Sequence, residues 1–250
     1  MSVVSRAKQF GRDLTARAIA PVLRRLAHDP TYFELWERYG FHVTGSHFYQ
    51  PIPNTGGLPL SLWNRVGDLP GIDMREEQQK ELLSDIVARF KDEFTAIPEG
   101  ASTQEFRYYL GNAAFEAVEA EMLFALIRLF KPRRMYEVRA GFSTLLAADA
   151  LCRNRADGYS CRFIAIEPYP SGELQARLPS DELWRLPIQD VLLDEFQSLC
   201  ENDILFIDSS HVCKIDIDVQ FLFLEVLPRI RPGVVVHVHD IFTPVEYPKH

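Results

Sequence analysis

The stretch Arg134-Met-Tyr-Glu-Val-Arg-Ala-Gly-Phe-Ser-Thr144 decides the fold. Met135 to Val138 is a short apolar run that predicts a strand. Thr144-Leu-Leu-Ala-Ala-Asp-Ala-Leu151 predicts the helix after it. Between them lie one glycine, Gly141, and two hydroxyl residues, Ser143 and Thr144, of the kind that cap a helix. Strand, small-residue turn and helix N-terminus form the usual place for an α/β protein to hold a nucleotide-like ligand. Glu137 at the strand's end favours a ligand bearing a positive charge or sugar hydroxyls. Arg139 works against that picture, because it sits where the backbone would pass closest to the ligand.

Downstream the same rhythm repeats. Strands are expected at Met135–Val138, Arg162–Ile166, Ile204–Asp208 and Val234–His239, with a weaker one near Leu186–Ile188. Helices are expected at Thr144–Arg153, Ser171–Leu178, Val191–Leu199 and Asp216–Ile230. Short apolar strands separated by single helices predict a parallel sheet covered on both faces, a doubly wound α/β fold. In such sheets the ligand lies beyond the carboxyl ends of the strands. The residues there are Glu137, Glu167, Asp190, Asp208-Ser-Ser-His211 and His237-Val-His-Asp240, a polar and mostly acidic set.

Upstream the chain reads differently. Residues 1–104 are expected to form a helical and loop extension, and 105–250 the α/β domain. Arg6, Lys8, Arg12, Arg17, Arg24 and Arg25 face a single acid, Asp13, in a helix-like N-terminal stretch. That pattern fits a membrane-surface or targeting helix, or a peripheral helix with solvated arginines. From Thr31 to about Pro70, prolines, glycines and aromatics predict an irregular loop. As a lid, this loop would bring His47 and Tyr49 to a substrate; as a plain connection, they would anchor it. Apolar spacing predicts helices over Glu76–Phe94 and Ala113–Phe130, the second ended by Pro132.

Composition narrows the function. With 250 residues, 47% hydrophobic and 25% charged, the chain suits an ordinary globular protein. A net charge of -8 argues against a nucleic-acid partner. No apolar run approaches the ~18 residues of a membrane span. Cys152, Cys161, Cys200 and Cys213 are scattered, as free thiols in a reducing, cytoplasmic compartment would be.

At Glu137-Val-Arg-Ala-Gly-Phe-Ser-Thr144, Ile166-Glu-Pro168, Asp203-Ile-Leu-Phe-Ile-Asp-Ser-Ser-His211 and Gly233-Val-Val-Val-His-Val-His-Asp240 the chain resembles the class I S-adenosylmethionine-dependent methyltransferases. The group is the small-molecule one called the methyltransferase 24 family, and the likeness covers about residues 105–247. The resemblance implies a Rossmann-like methyltransferase sheet and S-adenosylmethionine as cofactor. Its methionine portion would lie on Glu137, Ala140 and Gly141, with donors from Ser143 and Thr144. Glu167 would accept from the ribose hydroxyls, and Asp190 would lie near the adenine or cap the helix after it.

The acceptor implied is a small molecule or glycan, methylated at a hydroxyl oxygen. Asp208 and His211 would meet His239 and Asp240 if their strands are neighbours. A histidine suits removal of the acceptor's proton because its ordinary pKa lies near ~6.5. A divalent metal is the alternative, because related oxygen methyltransferases hold magnesium with acids at these strand ends. His239 in place of an acid makes a hard cation less suited, so the histidine base is favoured. His237, alternating with valines, is expected to be a packed strand residue.

Two departures bear on activity. The family places a glycine at Arg139, and a side chain there would crowd the methionine portion. The alternative function is therefore a catalytically impaired methyltransferase fold that acts as a binding module. The chain also stops ten residues after Asp240, where the family continues with two further strands. A C-terminally truncated domain is expected, with the Val234–Val238 edge unpaired unless a homodimer covers it. A dinucleotide oxidoreductase is disfavoured, because the first turn lacks G-x-G-x-x-G.

Overall fold

Five parallel strands carry the fold: β1 Arg134–Val138, β2 Arg162–Ile166, β3 Leu183–Trp184, β4 Ile204–Ile207 and β5 Val235–Val238. Their spatial order is β3-β2-β1-β4-β5. The computed structural model describes residues 3–27, 29–45, 52, 55–101, 107–177 and 182–247. His47 and Tyr49 lie outside them.

Two compact units are present, one of Met1–Asp68 with Thr243–His250 and the other of Leu69–Phe242. The first unit contains helices α1 (Val3–Leu26) and α2 (Phe33–Arg38). The Asp29 carboxylate accepts the Thr31 amide at the 3-10 turn before α2. Val66 bridges Val245, the Gly67 amide donates to the Pro244 carbonyl, and Arg65 pairs with Glu246 at 2.9 Å.

In the second unit, helices α3 (Glu76–Phe94) and α4 (Ala117–Phe130) precede the sheet. The expected start of α4 at Ala113 moves to Ala117. The Asn112 side chain takes the Ala114 and Phe115 amides, and Ala113 adopts φ +62°, so the turn is held open by local bonds. Helix α5 (Phe142–Ala156) follows β1, α6 (Gly172–Arg177) follows β2, and α7 (Leu193–Gln197) precedes β4. The connection to β5 begins with α8 (Asp218–Phe221), continues as a wide turn to Val226 and ends as a 3-10 turn at Leu227–Arg229. A regular helix over Asp216–Ile230 is thus not formed; Pro228, which lacks an N–H, falls in its last turn.

Period-two alternation splits the core between the two faces of the sheet. Met135, Phe163, Ala165, Ile204 and Phe206 pack with Leu123, Phe124, Ile127 and Leu146 of α4 and α5. Tyr136, Val138, Ile164, Ile166, Leu205 and Ile207 pack with Phe196, Leu199, Leu222 and Val226. The strand expected near Leu186–Ile188 lies instead at Leu183–Trp184. Pro187 can donate nothing to a ladder, and Ile188–Asp190 winds into a 3-10 turn.

Register places the chemistry. Val138 pairs with Ile166 and Ile207, and Ile207 pairs with Val238. The next residue of each strand therefore lies in one row along the carboxyl edge: Glu167, Arg139, Asp208 and His239. The ladder reaches that row, since the amides of Arg139, Asp208 and His239 donate to Ile166, Val138 and Ile207. Among the described residues β5 is an edge strand, and Val236 on it is 37% exposed.

Candidate functional site

Above this edge lies a cavity of about 890 Å³. Its wall includes the Arg139–Phe142 turn, Glu167-Pro-Tyr169, Leu174, Ile188, Gln189, Ser210 and Asp218. The turn is built by its own hydroxyls. Thr144 Oγ1 accepts the Gly141 amide at 2.9 Å, and Ser143 Oγ donates to Glu137 Oε1 at 2.5 Å. Both hydroxyl residues are buried and belong to the frame beneath the cavity. Glu137 is fully buried, and burial pushes its carboxyl up to about 8 despite the Ser143 and Thr144 bonds. Its Oε2 has no hydrogen-bond partner.

Arg139 takes φ +67°, the left-handed conformation that glycine adopts freely and that costs an L-residue roughly 1–2 kcal/mol. The turn thus keeps a glycine's backbone and carries an arginine side chain into the cavity wall. His211 and Asp240 are also left-handed, at +58° and +55°. Three such residues at the ends of β1, β4 and β5 place backbone strain where ligands bind.

Glu167, next along the row, lies over the β2 end. Its Oε1 accepts the Tyr169 amide at 2.8 Å, and its Oε2 approaches the Ala140 amide at 3.4 Å. That second bond is long, so Oε2 keeps capacity for a hydroxyl. Asp190 is exposed and outside the cavity wall, whereas its neighbour Gln189 is in it. Nor does Asp190 cap a helix, because α7 starts at Leu193 with Leu192 at the cap.

Beyond Arg139 the structure brings together Asp208, His211, His239 and Asp240, whose nearest ligand atoms all lie within 4.8 Å of one another. His211 Nε2 is 3.1 Å from Asp208 Oδ1 and 3.8 Å from Asp240 Oδ2. His239 Nδ1 is 3.5 Å from both carboxylates, an ion-pair distance with no hydrogen bond to that nitrogen. Its Nε2 meets Glu119 Oε2 at 3.0 Å, and the ring packs on Phe115. Asp208 beside it, opposed by burial and joined by Glu119 and Asp240, raises His239 to about 9. Burial would raise Asp208, but His239, with His211 and Arg139, outweighs it and holds that carboxyl below its usual value. Burial, with the His239 charge, lowers His237 to about 4, so His237 is a neutral packed residue against Phe206.

Glu119 and Asp218 are site residues the sequence did not single out. Glu119 looks like an acid in the first turn of a helix, and it does accept the Glu116 amide there. Asp218 takes the Ser210 amide at 2.7 Å and its hydroxyl at 2.6 Å, fixing the loop after β4. No local pattern announces either contact.

The cavity fits a nucleoside with a polar tail. Ile188 and Leu174 offer apolar walls for a flat base, Glu167 a carboxylate for a sugar diol, and a Cβ added at Gly141 would meet nothing within 4 Å. A cation fits the four-residue cluster less well. Two imidazoles with two carboxylates suit a transition metal more than magnesium.

A parallel sheet whose strand order reverses beside β1, with its cavity over that point, defines a nucleotide-type α/β ligand-binding protein. Residues 138–241 match the profile of a family described as a methyltransferase domain. An Archaeoglobus fulgidus protein described as uncharacterized is 32% identical over 164 residues, which cover 62% of this chain and 73% of that one. No solved structure matches the chain. The chain belongs to the class I S-adenosylmethionine-dependent methyltransferase family.

Proposed function

We propose that this protein transfers a methyl group from S-adenosylmethionine to a hydroxyl oxygen of a small molecule or glycan, with His211 as the base. The observation that carries the reading is the Asp208–His211 pair, 3.1 Å apart, directly beyond the cavity-lining Arg139 and Ser210. When bound, the cofactor supplies an electrophilic methyl group. Glu167 holds the ribose, the Arg139–Phe142 turn faces the amino-acid end, and Gln189 lies toward the base. Asp208 accepts from His211 Nε2–H, which leaves the lone pair on Nδ1 for the acceptor's proton. Alignment of acceptor with donor supplies the remaining acceleration. His239, held as an imidazolium, keeps Asp208 ionised and in place.

A second reading is a divalent cation on Asp208, His211, His239 and Asp240, favoured by the 4.8 Å convergence of their ligand atoms. One experiment separates the two. Labelled S-adenosylmethionine is incubated with the protein and panels of hydroxylated small molecules and glycans, with EDTA or with added divalent cations. Transfer that persists in EDTA and is lost in His211→Asn supports the histidine base. Transfer that requires a cation replaces it with the second reading.

Among the described residues no helix is long and apolar enough to cross a membrane. Cys152, Cys161, Cys200 and Cys213 are free thiols, which supports a reducing, cytoplasmic setting for this chemistry.

A further inference from the structure

Among the described residues, Arg139 is the one cationic residue in the cavity wall. It is exposed, and its guanidinium makes no hydrogen bond or ion pair among the described residues. The carboxylate on which it acts, Asp208, is already engaged by His211 and His239. Glu137 beneath the turn is fully buried and bonded to Ser143. Arg139 therefore lines the cavity with no hydrogen-bond or ion-pair partner for its guanidinium among the described residues, and the first amides of α5 begin three residues further on, adding donors and a positive helix end.

We infer that Arg139 binds a carboxylate in this cavity, and that the carboxylate is the one at the amino-acid end of the cofactor. The inference rests on the cofactor reading above. Strand order gives the direction: Glu167 after β2 lies to one side of Arg139, and Asp208 and Ser210 after β4 lie to the other. With the ribose on Glu167, the amino-acid tail runs toward Arg139. A guanidinium pairs with a carboxylate through two parallel N–H donors, which gives strength and orientation together. The sulfonium charge opposes Arg139, but the contact with the carboxylate is closer and outweighs it. A glycine would leave only backbone amides for this task. In this chain the turn accepts a left-handed arginine and gains a charged donor.

The test uses two ligands with the same nucleoside and thioether, S-adenosylhomocysteine and 5′-methylthioadenosine; the second lacks the amino-acid portion. Both are titrated by calorimetry into wild type, Arg139→Met, Arg139→Gly and Arg139→Lys. Expected is a loss of about 10–100-fold in S-adenosylhomocysteine affinity for the methionine and glycine variants, with 5′-methylthioadenosine unchanged. Lysine should recover part of the loss as a point charge. Arg139→Gly relieves the φ +67° strain and should melt higher than wild type, so its loss cannot be ascribed to misfolding. Unchanged or tighter S-adenosylhomocysteine binding in Arg139→Gly overturns the inference, as does an equal loss for both ligands. An acceptor-borne carboxylate as the true ligand would show itself as that unchanged binding. Wild type that binds neither ligand overturns the cofactor reading instead.

Discussion

Glu119 and His239 meet at 3.0 Å although 120 residues separate them in the chain. One carboxylate does two jobs. Its Oε1 accepts the Glu116 amide at the start of α4, and its Oε2 holds His239 at the end of β5. The contact ties a helix that packs on the sheet to the strand end where the candidate catalytic groups gather. It also helps to keep His239 protonated, raised to about 9. A raised histidine contributes stability that is complete below its unfolded value of ~6.5 and lost as pH rises through about 9. Melting temperature should therefore fall between pH 6.5 and 9 in wild type, with that component absent in His239→Gln and reduced in Glu119→Gln. A parallel pH profile for wild type and His239→Gln would refute the assignment.

Glu137 works in a different window. Its carboxyl is raised from 4.5 to about 8, with burial the dominant cause. Unfolded, it ionises above ~4.5, while folded it stays protonated until about 8. Folding therefore loses stability as pH rises through that interval, and the loss is complete above it. Glu137→Gln cannot ionise, so the difference in unfolding free energy between variant and wild type should grow in the variant's favour from pH 4.5 to 8. Chemical denaturation at pH 5, 6.5 and 8 reads it directly. A constant difference would mean that Glu137 is ionised in the folded protein.

The strand–turn–helix at Arg134–Ala156 was legible because an apolar run and a glycine turn are local signals, although the helix starts at Phe142 with Gly141 at its cap and takes the expected cap residues Ser143 and Thr144 into its first turn. Glu167 and Asp208 were legible because a lone acid after a buried apolar strand has few structural reasons to be there. β3 was not, because a strand of two residues is specified by its neighbour β2 more than by its own pattern. Glu119–His239 and Ser210–Asp218 are side-chain contacts made only once the chain has folded. Asp190 read as the polar strand-end residue, but the 3-10 turn at Ile188 presents Gln189 to the cavity instead.

His211 is the residue on which the proposed proton removal depends. His211→Asn should lower kcat by about 10²–10⁴-fold once an acceptor is in hand. S-adenosylhomocysteine affinity should stay unchanged, since His211 lies outside the cavity wall. Asp208→Asn should lower kcat as well, and it should also release His239 from its raised value, because Asp208 is the largest cause of that shift. Titration of the histidine ring protons by NMR checks the second effect without any acceptor. If His239 still titrates near 9 in Asp208→Asn, the electrostatic account of the cluster is wrong.

At the opposite edge of the sheet, Asp203 holds the strands in register. Its Oδ1 accepts the Arg133 and Arg134 amides at 3.0 and 2.8 Å, and its Oδ2 accepts the Cys200 amide at 2.9 Å. The residue is 2% exposed, so water cannot readily replace the carboxylate. Asp203→Ala would leave these backbone donors without a partner at the point where β1 and β4 begin. Each lost bond to a charged acceptor is worth about 1.5–3 kcal/mol, and buried donors left unmade cost comparably. The variant should lose at least ~3 kcal/mol of stability in urea unfolding. Asp203→Asn keeps one carbonyl acceptor and should fall between the two. Because Asp203 sits at the far end of the strands from the cavity, wild-type ligand affinity should persist in whatever fraction of Asp203→Asn remains folded. A loss of affinity larger than that fraction would mean that register at the start of β1 and β4 is transmitted to the row of residues at their ends.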